Sequence, residues 1–249
     1  MKIFKPIIPS RYRPRGLEII HEDRDILVVV KESGLLTMSY RRDETRTAEK
    51  ILTSYLRKGD PKSRLRAHVV HRLDRDTSGL LLFAKTEDVQ QRLKNDWPRT
   101  EKFYLAVVHG HPEPAEGVIS SYLAEDDDQF VHTLKGEGQG RLSHTAYGTI
   151  KVVKGFGFLK INLLTGRKNQ IRVHLKEKGC PVVGDLKYGR KDTSKARLML
   201  HAKTLAFHHP HRGERVLFNT PVPEVFSKLA GGLDETEWLR TSCPSSIPR

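Results

Sequence analysis

A polar turn that runs directly into an apolar strand constrains this chain more than any other feature. Residues 71–85 read HRLDRDTSGLLLFAK. The serine and glycine of the turn can bend the backbone tightly, and the five apolar residues at 80–84 predict a fully buried strand. A rigid strand beside a polar turn can hold one side chain at a fixed position. The candidate is Asp74, which has Arg72 and Arg75 on either side.

The two arginines bear on the protonation state of Asp74. An opposite charge within a few ångströms favours the ionised form of a carboxylate. We therefore expect Asp74 to be charged at neutral pH and able to act as a nucleophile or a base. The spacing alone leaves a second interpretation equally open, because structural ion pairs perturb carboxylates too. In that interpretation Asp74 is a surface residue in a salt-bridged turn.

The predicted elements indicate an α+β fold. Apolar runs predict strands at 26–30, 80–84, 103–108, 147–153, 157–164 and 198–207. Apolar residues at helical spacing predict helices after Thr47 and after Thr86, and a short helix is expected at 223–229. The polar, glycine-rich residues 124–142 predict a loop or a long hairpin. Because strands and helices do not alternate regularly, a doubly wound sheet is not expected.

The chain divides into three parts by composition. Residues 1–16 form a basic arm rich in proline and arginine, which could contact phosphates or could equally be a disordered terminus. Residues 17–232 have the patterning of a globular domain. Residues 233–249 are expected to be a partly disordered tail.

Charge and cysteine content limit the function classes. Lys and Arg number 44 against 30 Asp and Glu, a formal charge of +14, which is typical of proteins that handle polyanions but also favours plain solubility. Two cysteines without a CxxC pair argue against a disulfide framework and a cysteine zinc site. The chain shows neither a secretory signal nor an apolar run of ~20 residues. We expect a cytoplasmic protein that does not bind membranes.

Three histidines, His208, His209 and His211, suggest a metal site. A proline interrupts them, and we expect no acidic or cysteine partner nearby. Zinc sites need such ligands in a defined geometry. We therefore expect no metal.

Several segments together resemble the RluA-type pseudouridine synthases, which convert uridine in structured RNA to its C-glycoside isomer. The signature is HRLD at 71–74 with TSG at 77–79, and EKxYxAxVxG at 101–110 resembles the tyrosine segment of that family. TGRKxQIRVHL at 165–175 resembles its arginine segment, and PxxGDxxYG follows at 181–189. LxLHA at 198–202 with FxHP at 207–210 resembles its C-terminal strand. The resemblance covers roughly residues 17–229.

The resemblance implies a fold and an activity. The fold would be a central mixed, largely antiparallel sheet with flanking helices and a catalytic cleft. Some family members carry an S4-like RNA-binding domain, but only about 16 residues precede the first strand here, so a stand-alone catalytic domain at 17–232 is expected. The activity would be isomerisation of uridine in an rRNA or tRNA stem-loop, without a cofactor and without an obligate protein partner.

The resemblance also implies residue roles. Asp74 would react at the ribose, by attacking carbon 1 or deprotonating carbon 2. Tyr104 would stack on the extracted base and assist proton removal at carbon 5, although a tyrosine in the run FYLAVV is more often a core residue. Arg172 would orient and neutralise Asp74. The expected substrate-binding residues are His71, Arg72, Arg75, Arg167, Lys168, Gln170 and Leu200.

One position departs from the family pattern, and three histidines have a structural interpretation as well as a functional one. The family commonly has histidine where this chain has Asn169, which puts a proton-transfer role there in doubt. His71, His174 and His201 could each be buried structural residues as readily as ligands.

Two other function classes remain open. The first is a non-catalytic RNA-binding or chaperone domain, which would have no use for the set Asp74, Tyr104 and Arg172. The second is an RNA or nucleoside glycosidase. Glycoside hydrolysis usually needs two carboxylates, and we interpret Asp76, only two residues from Asp74, as local structure.

Overall fold

The computed structural model describes residues 14–39, 46–60, 62–134, 140–189 and 197–247. The basic arm predicted at 1–16 therefore lies almost entirely outside the described residues. In chain order the elements are β1 (Leu17–Glu22), β2 (Ile26–Lys31), α1 (Ala48–Arg57), β3 (His68–Val69), β4 (Ser78–Ala84), α2 (Glu87–Asp96), β5 (Glu101–His109), β6 (Glu116–Glu125), β7 (Val131–Leu134), β8 (Arg141–Val153), β9 (Phe156–Leu163), α3 (Gln170–Glu177), β10 (Leu200–His208), β11 (Arg215–Asn219), α4 (Glu224–Leu229) and α5 (Glu235–Arg240).

The described chain forms two compact units. Unit one comprises residues up to 100 together with 205–220, and unit two comprises residues 101–204 and those from 221 onward. The expected catalytic domain at 17–232 thus includes parts of both units. Strand β10 contributes its first part to unit two and its second part to unit one.

Unit one is built around the strand that the opening motif predicts. All seven residues of β4 are buried, which confirms the expected buried run. β4 pairs antiparallel with β2, and β2 pairs antiparallel with β1. Alternate residues of these strands pack with α2 and the β10–β11 hairpin in one core cluster. Its members are Ile20, Ile26, Val28, Val70, Leu80, Leu82, Ala84, Val89, Leu93, Leu205, Phe207, Val216 and Phe218.

The two predicted helices of unit one are confirmed, as is the cap expected at Thr86, and Thr47 caps the other helix. Thr47 accepts a hydrogen bond from the Lys50 amide at the start of α1, and Thr86 accepts one from the Val89 amide at the start of α2. The apolar stripe of α1 supplies its buried residues, Ala48, Leu52 and Leu56.

Unit two contains an antiparallel array with the strand order β5–β9–β8–β6–β7. The polar region at 124–142 belongs to this array, because β6 and β7 form a hairpin there and β8 returns to pair with the other edge of β6. Of the two structures predicted for this region, the long hairpin is the one observed, while Gly136 and Gly138 fall outside the described residues. The antiparallel strands and few helices confirm the α+β class.

The C-terminal segment is more ordered than its composition predicts. The tail expected to be partly disordered at 233–249 contains α5, and Trp238 on this helix is only 3% exposed. The buried Lys203 ammonium donates to Glu235, and Asn162 donates to the Pro244 carbonyl at 3.1 Å. A polar composition indicates disorder, whereas these long-range contacts hold the segment as far as Pro244.

No helix in the described part of the chain is long and apolar enough to cross a membrane.

Candidate active site

The turn that carries Asp74 is braced by hydrogen bonds on both sides of this residue. The hydroxyl of Thr37 donates to the Leu73 carbonyl at 2.9 Å and accepts from the Leu73 amide at 3.1 Å. The Arg75 carbonyl accepts from the Gly34 amide and from the Lys31 ammonium, each at 2.9 Å. Asp74 itself is half-buried. Its backbone is therefore held in place by the segment that follows β2.

Lys31 is a positioning residue that the sequence reasoning missed. Its side chain is fully buried at the end of β2, and its ammonium donates to the carbonyl oxygens of Glu32, Leu35 and Arg75 at 2.8–2.9 Å. A buried cation needs such acceptors to offset its lost hydration. The sequence feature that could have indicated a buried lysine is its position at the end of the apolar run ILVVVK.

The arginines beside Asp74 do not behave as a symmetric pair. The Arg75 guanidinium extends to Asp76, with Nε 3.2 Å from the carboxylate, and both side chains are largely exposed. Such a surface pair contributes little to stability. Asp76 is therefore part of the local turn structure, and Arg72 is exposed.

His71 ties the motif to the buried strand. Its Nε2 accepts a hydrogen bond from the Leu82 amide at 3.1 Å, and its ring stacks on Trp97 with centroids 4.6 Å apart. Because Nε2 accepts an N–H, it carries no proton, and the imidazole is neutral in this arrangement. This contact supports the structural interpretation of His71.

Tyr104 lies within β5 in unit two, where it faces Ile161 of β9 and is 7% exposed. Lys102 is two residues away and projects from the same face of the strand. Burial lowers the pKa of the Lys102 ammonium to about 8. The strand thus presents a buried aromatic ring and a cation with a weakened affinity for its proton.

Arg172 forms a two-point ion pair with Asp185. Its Nε and Nη2 donate to the two carboxylate oxygens of Asp185, both at 2.7 Å, and its Nη1 donates to the Asn169 side-chain oxygen at 3.0 Å. The guanidinium also lies over the Tyr188 ring. Burial opposes ionisation of Asp185, but the hydrogen bonds and charge of Arg172 outweigh burial and lower the pKa of this carboxyl.

Asp185 was not assigned a role from the sequence, although it lies in the PxxGD segment. Its amide neighbours reinforce the pair, because Lys187 and Tyr188 both donate backbone N–H groups to the same carboxylate. Asp74 and Arg172 belong to different units. Their expected pairing stays a prediction.

Gln170 closes the loop before α3. Its Oε1 accepts from the Arg167 amide and the Thr165 hydroxyl, and its Nε2 donates to the His144 carbonyl and the Thr145 hydroxyl, all at 2.9–3.0 Å. The side chain is 2% exposed. With its amide hydrogens and oxygen occupied inside the protein, Gln170 is placed to shape the loop and not to contact a substrate directly.

His174 is held between two hydroxyl groups. Its Nδ1 lies 2.9 Å from the Thr145 hydroxyl, which also accepts from the Gln170 amide. Its Nε2 lies 3.0 Å from the Ser121 hydroxyl. Burial, assisted by the charge of His144, lowers the pKa of His174 to about 4. His174 is thus a neutral structural residue.

The other expected binding residues differ in accessibility. Arg167 is exposed, whereas the ammonium of Lys168 donates to Glu125 on β6. Leu200 is 3% exposed at the start of β10. Of this set, Arg167 is the most accessible to a polyanion.

The three C-terminal histidines have acidic partners, which corrects one premise of the sequence reasoning. His208 lies 2.9 Å from Asp96, His209 lies 2.9 Å from Asp23, and His211 lies 4.0 Å from Asp25. Distant segments supply these carboxylates, so local spacing could not reveal them. Burial raises the pKa of Asp23, but hydrogen bonds from His21, His209 and two backbone amides outweigh burial and lower it.

The cluster of Asp23, Asp25 and His209 is compact enough to hold a cation, because its ligand atoms lie within 4.8 Å of one another. Hydrogen bonds already occupy it, however. His209 Nδ1 accepts from the His211 and Arg212 amides, so Nε2 carries the proton and donates to Asp23. The Arg212 guanidinium also lies 4.0 Å from Asp23. The donor set fits a structural hydrogen-bond network.

Comparisons with known proteins agree with the motifs. Residues 25–177 match the family model for RNA pseudouridylate synthase. The uncharacterized RNA pseudouridine synthase YlyB of Bacillus subtilis is 35% identical over 225 residues, which is 88% of this chain and 74% of that protein. The dual-specificity RNA pseudouridine synthase RluA of Escherichia coli is 32% identical over 210 residues, which is 82% of this chain and 93% of that protein.

A solved structure gives the same result at the level of the fold. The human RNA pseudouridylate synthase domain containing 1 superimposes with a TM-score of 0.66 at 29% identity, and the match covers 87% of both chains.

Proposed function

Because the chain belongs to the RNA pseudouridylate synthase family and isomerises uridine in RNA, we propose that Asp74 is the carboxylate that reacts with the target nucleotide. The observation that carries this assignment is the braced turn, in which Thr37, Gly34 and Lys31 fix the backbone on both sides of Asp74. A reacting group must be held in its productive geometry by its surroundings. The hydrogen bonds that brace the turn therefore act on Leu73 and Arg75, the residues on either side of Asp74 in the HRLD motif.

The reaction sets the role of Asp74. The bond between ribose carbon 1 and base nitrogen 1 breaks, the uracil turns, carbon 1 joins base carbon 5, and the proton on carbon 5 is removed. Atoms and electrons balance without an oxidant or a second substrate. Asp74 either attacks carbon 1 or removes a proton from carbon 2, and both routes require the ionised carboxylate.

Tyr104 is the second catalytic residue in this proposal. A stacking aromatic ring stabilises an unpaired base by ~1 to 3 kcal/mol, which helps to retain the uracil after its bond to ribose is broken. The phenol of Tyr104 assists removal of the carbon 5 proton. Leu200, apolar and buried, contributes to the uracil pocket.

Arg172 is proposed to orient and neutralise the reacting carboxylate. Its ion pair with Asp185 supports a fixed guanidinium, because two hydrogen bonds leave the planar group little rotational freedom. Asp185 is then a positioning residue that acts through Arg172.

The remaining residues fall into two groups, those that bind RNA and those that position other residues. We propose that Arg167 binds backbone phosphate, that Lys168 does so after leaving Glu125, and that Arg72 and Arg75 contact RNA from the catalytic turn. Gln170 and His71 act as positioning residues, because their hydrogen bonds are directed to the Arg167 loop and to β4. This revises the direct substrate contact expected of these two residues.

The proposed substrate is an unpaired loop in structured RNA, either rRNA or tRNA. Enzymes that act on a stacked base must extrude it, at a cost of a few kcal/mol, and unpaired loops lower that cost. We propose that the protein works in the cytoplasm without a cofactor or an obligate protein partner. Family membership does not favour the glycosidase or the non-catalytic alternative.

Pseudouridine mapping in total rRNA and tRNA tests the proposal. RNA from cells that lack the protein is incubated with the purified wild-type chain and, separately, with the Asp74→Asn variant. New pseudouridine at a defined position with wild type alone is the expected result. Release of free uracil would instead identify a glycosidase, and RNA binding without product would identify a non-catalytic protein.

A further inference from the structure

The connection between α1 and β3 carries an unusual concentration of positive charge. Its cations are Arg57, Lys58, Lys62, Arg64 and Arg66, and its only acidic residue is Asp60. Arg57 is half-buried, and the other four cations are exposed. We call the described residues of this stretch, 57–60 and 62–66, the basic connection. It lies in unit one and contains none of the residues assigned to the reaction.

The cations of the basic connection are not neutralised locally. None of the five makes an ion pair with a carboxylate in the described part of the chain. Other basic residues of unit one do have such partners, as in the pairs Lys85–Glu22, Arg92–Asp88 and Arg99–Asp96. The unpaired charges therefore produce a local positive potential directed at solvent.

The basic connection is held by its own hydrogen bonds. Lys58 caps α1 in the left-handed conformation with its amide bonded to the Ser54 and Tyr55 carbonyls. Arg57 Nε donates to the Leu65 carbonyl at 3.0 Å, and Asp60 accepts from the Lys62 amide at 2.8 Å. Such internal bonding reduces the entropy that a ligand must overcome on binding.

A concave surface adjoins these charges. A cavity of about 480 Å³ opens between α1 and the basic connection. Three cations, Lys50, Arg57 and Arg66, line it together with the hydroxyls of Thr53 and Ser54, and they outnumber the two carboxylates of the lining, Glu49 and Asp60. Cations beside hydroxyl groups suit phosphate and sugar oxygens better than an apolar ligand. The Asp60 carboxylate in its wall is turned to the Lys62 amide.

We propose that the basic connection and its cavity bind backbone phosphates of the RNA outside the target loop. The inference rests on the proposed function, because it extends the contacts of the same substrate. Arg66 precedes Asp74 by eight residues, which limits their separation to roughly 28 Å. The rise per base pair of an A-form RNA stem is smaller than the ~3.4 Å of B-form DNA, so a stem of at least about eight base pairs is needed to span that distance.

The experiment compares two variants with equal loss of charge. The test variant is Lys62→Gln, Arg64→Gln and Arg66→Gln combined. The control combines Lys176→Gln, Lys178→Gln and Arg240→Gln, which are exposed residues of unit two. Both variants lose three charges, so a general effect of net charge affects them equally. Thermal unfolding should show that both retain the wild-type fold.

RNA affinity is measured by fluorescence anisotropy over a range of salt concentrations, with a stem-loop substrate. Each lost phosphate contact changes the log–log slope by ~0.7 to 0.9, so the loss of three should reduce the slope magnitude of the test variant by about 2 to 3. KM should rise at least about tenfold, with kcat at saturating RNA within about twofold of wild type, because the contacts act in binding alone. The control should match wild type in slope and KM.

The outcomes separate this inference from the proposed function. A test variant whose slope and KM equal those of the control overturns the phosphate site, even if the wild type forms pseudouridine. A wild type that forms no pseudouridine refutes the proposed function, but the slopes still decide whether the basic connection binds RNA. Equal loss of slope in test and control also refutes the inference, because net charge alone would then explain binding.

Discussion

Arg172 and Asp185 bind each other through two parallel hydrogen bonds of 2.7 Å, and the Asp185 side chain is 1% exposed. A carboxylate buried to this degree depends on its cation. The pair lies at α3 and the loop after it, so it joins helix and loop as well as fixing the guanidinium.

Removal of Arg172 should therefore destabilise the fold as well as impair catalysis. We expect Arg172→Ala to lower the free energy of unfolding by about 3–5 kcal/mol, because an unpaired charge stays buried on Asp185. Urea denaturation measures the change. Arg167→Ala, at an exposed position five residues away, should stay within about 0.5 kcal/mol of wild type. Wild-type stability in Arg172→Ala would show that the ion pair is dispensable.

Asp74→Asn should abolish pseudouridine formation while RNA affinity is retained. The substitution removes the reacting charge at nearly constant shape, and we expect a rate loss of about 10³-fold or more. Pseudouridine yield and RNA binding are measured on the same preparation. Asp76→Asn is the matched control and should stay close to the wild-type rate, because Asp76 pairs with Arg75 on the surface. Substantial turnover by Asp74→Asn would mean that another residue reacts.

His174 should make the protein less stable as the solution becomes acidic. Its pKa is lowered to about 4 in the folded state, against an ordinary value of about 6.5. Between these values the unfolded state binds the proton first, so stability falls as pH decreases through this window, by up to about 3 kcal/mol. Urea denaturation at a series of pH values should give a shallower fall for His174→Gln. Burial and nearby cations also lower the pKa of His201, to about 3. The His174→Gln variant should therefore still lose some stability in acid, because His201 is unchanged. Parallel curves for wild type and variant would exclude the assignment.

Gly148→Ala should displace the C-terminal segment. A Cβ at position 148 would lie 1.9 Å from the Ser242 carbonyl oxygen, and a backbone atom cannot move away without its segment. We expect a loss of about 1–3 kcal/mol and faster proteolytic cleavage after α5. Gly166→Ala is the control, because its Cβ would meet no atom within 4 Å. Equal proteolysis of the two variants would argue that the segment does not depend on this contact.

A short stem-loop should be a sufficient substrate. The proposed contacts lie at the target loop and at the basic connection, both of which a hairpin can reach. We expect a minimal hairpin to react within about tenfold of its full-length parent RNA, or ~1.4 kcal/mol in the barrier. Single-turnover rates on matched substrates provide the test. Inert hairpins beside a reactive full-length RNA would require recognition of distant tertiary structure.

Local patterns predicted the elements and the position of Asp74, because a buried strand, two helix caps and a turn depend on neighbours in sequence. Contacts between residues far apart in the sequence could not be predicted from local patterns. His209 and Asp23 are separated by 186 positions, and the order of the tail depends on Trp238 and Lys203 meeting in space. The sequence identified Asp185 only as part of the PxxGDxxYG segment. Its spacing from Arg172 did not indicate that the two side chains form an ion pair.

The hydrogen bonds of the Gln170 side-chain amide limit which residues can replace it. Glutamate differs from glutamine by one atom group and could still accept from the Arg167 amide, but an ionised carboxylate has no hydrogen to donate to the His144 carbonyl or the Thr145 hydroxyl. The conservative-looking exchange would therefore place a carboxylate oxygen against the His144 carbonyl oxygen, and the Thr145 hydroxyl could bond to it only by donating its own hydrogen. The exposed Arg167 can change with little effect on the fold, whereas the residue beneath it has to supply both a donor and an acceptor.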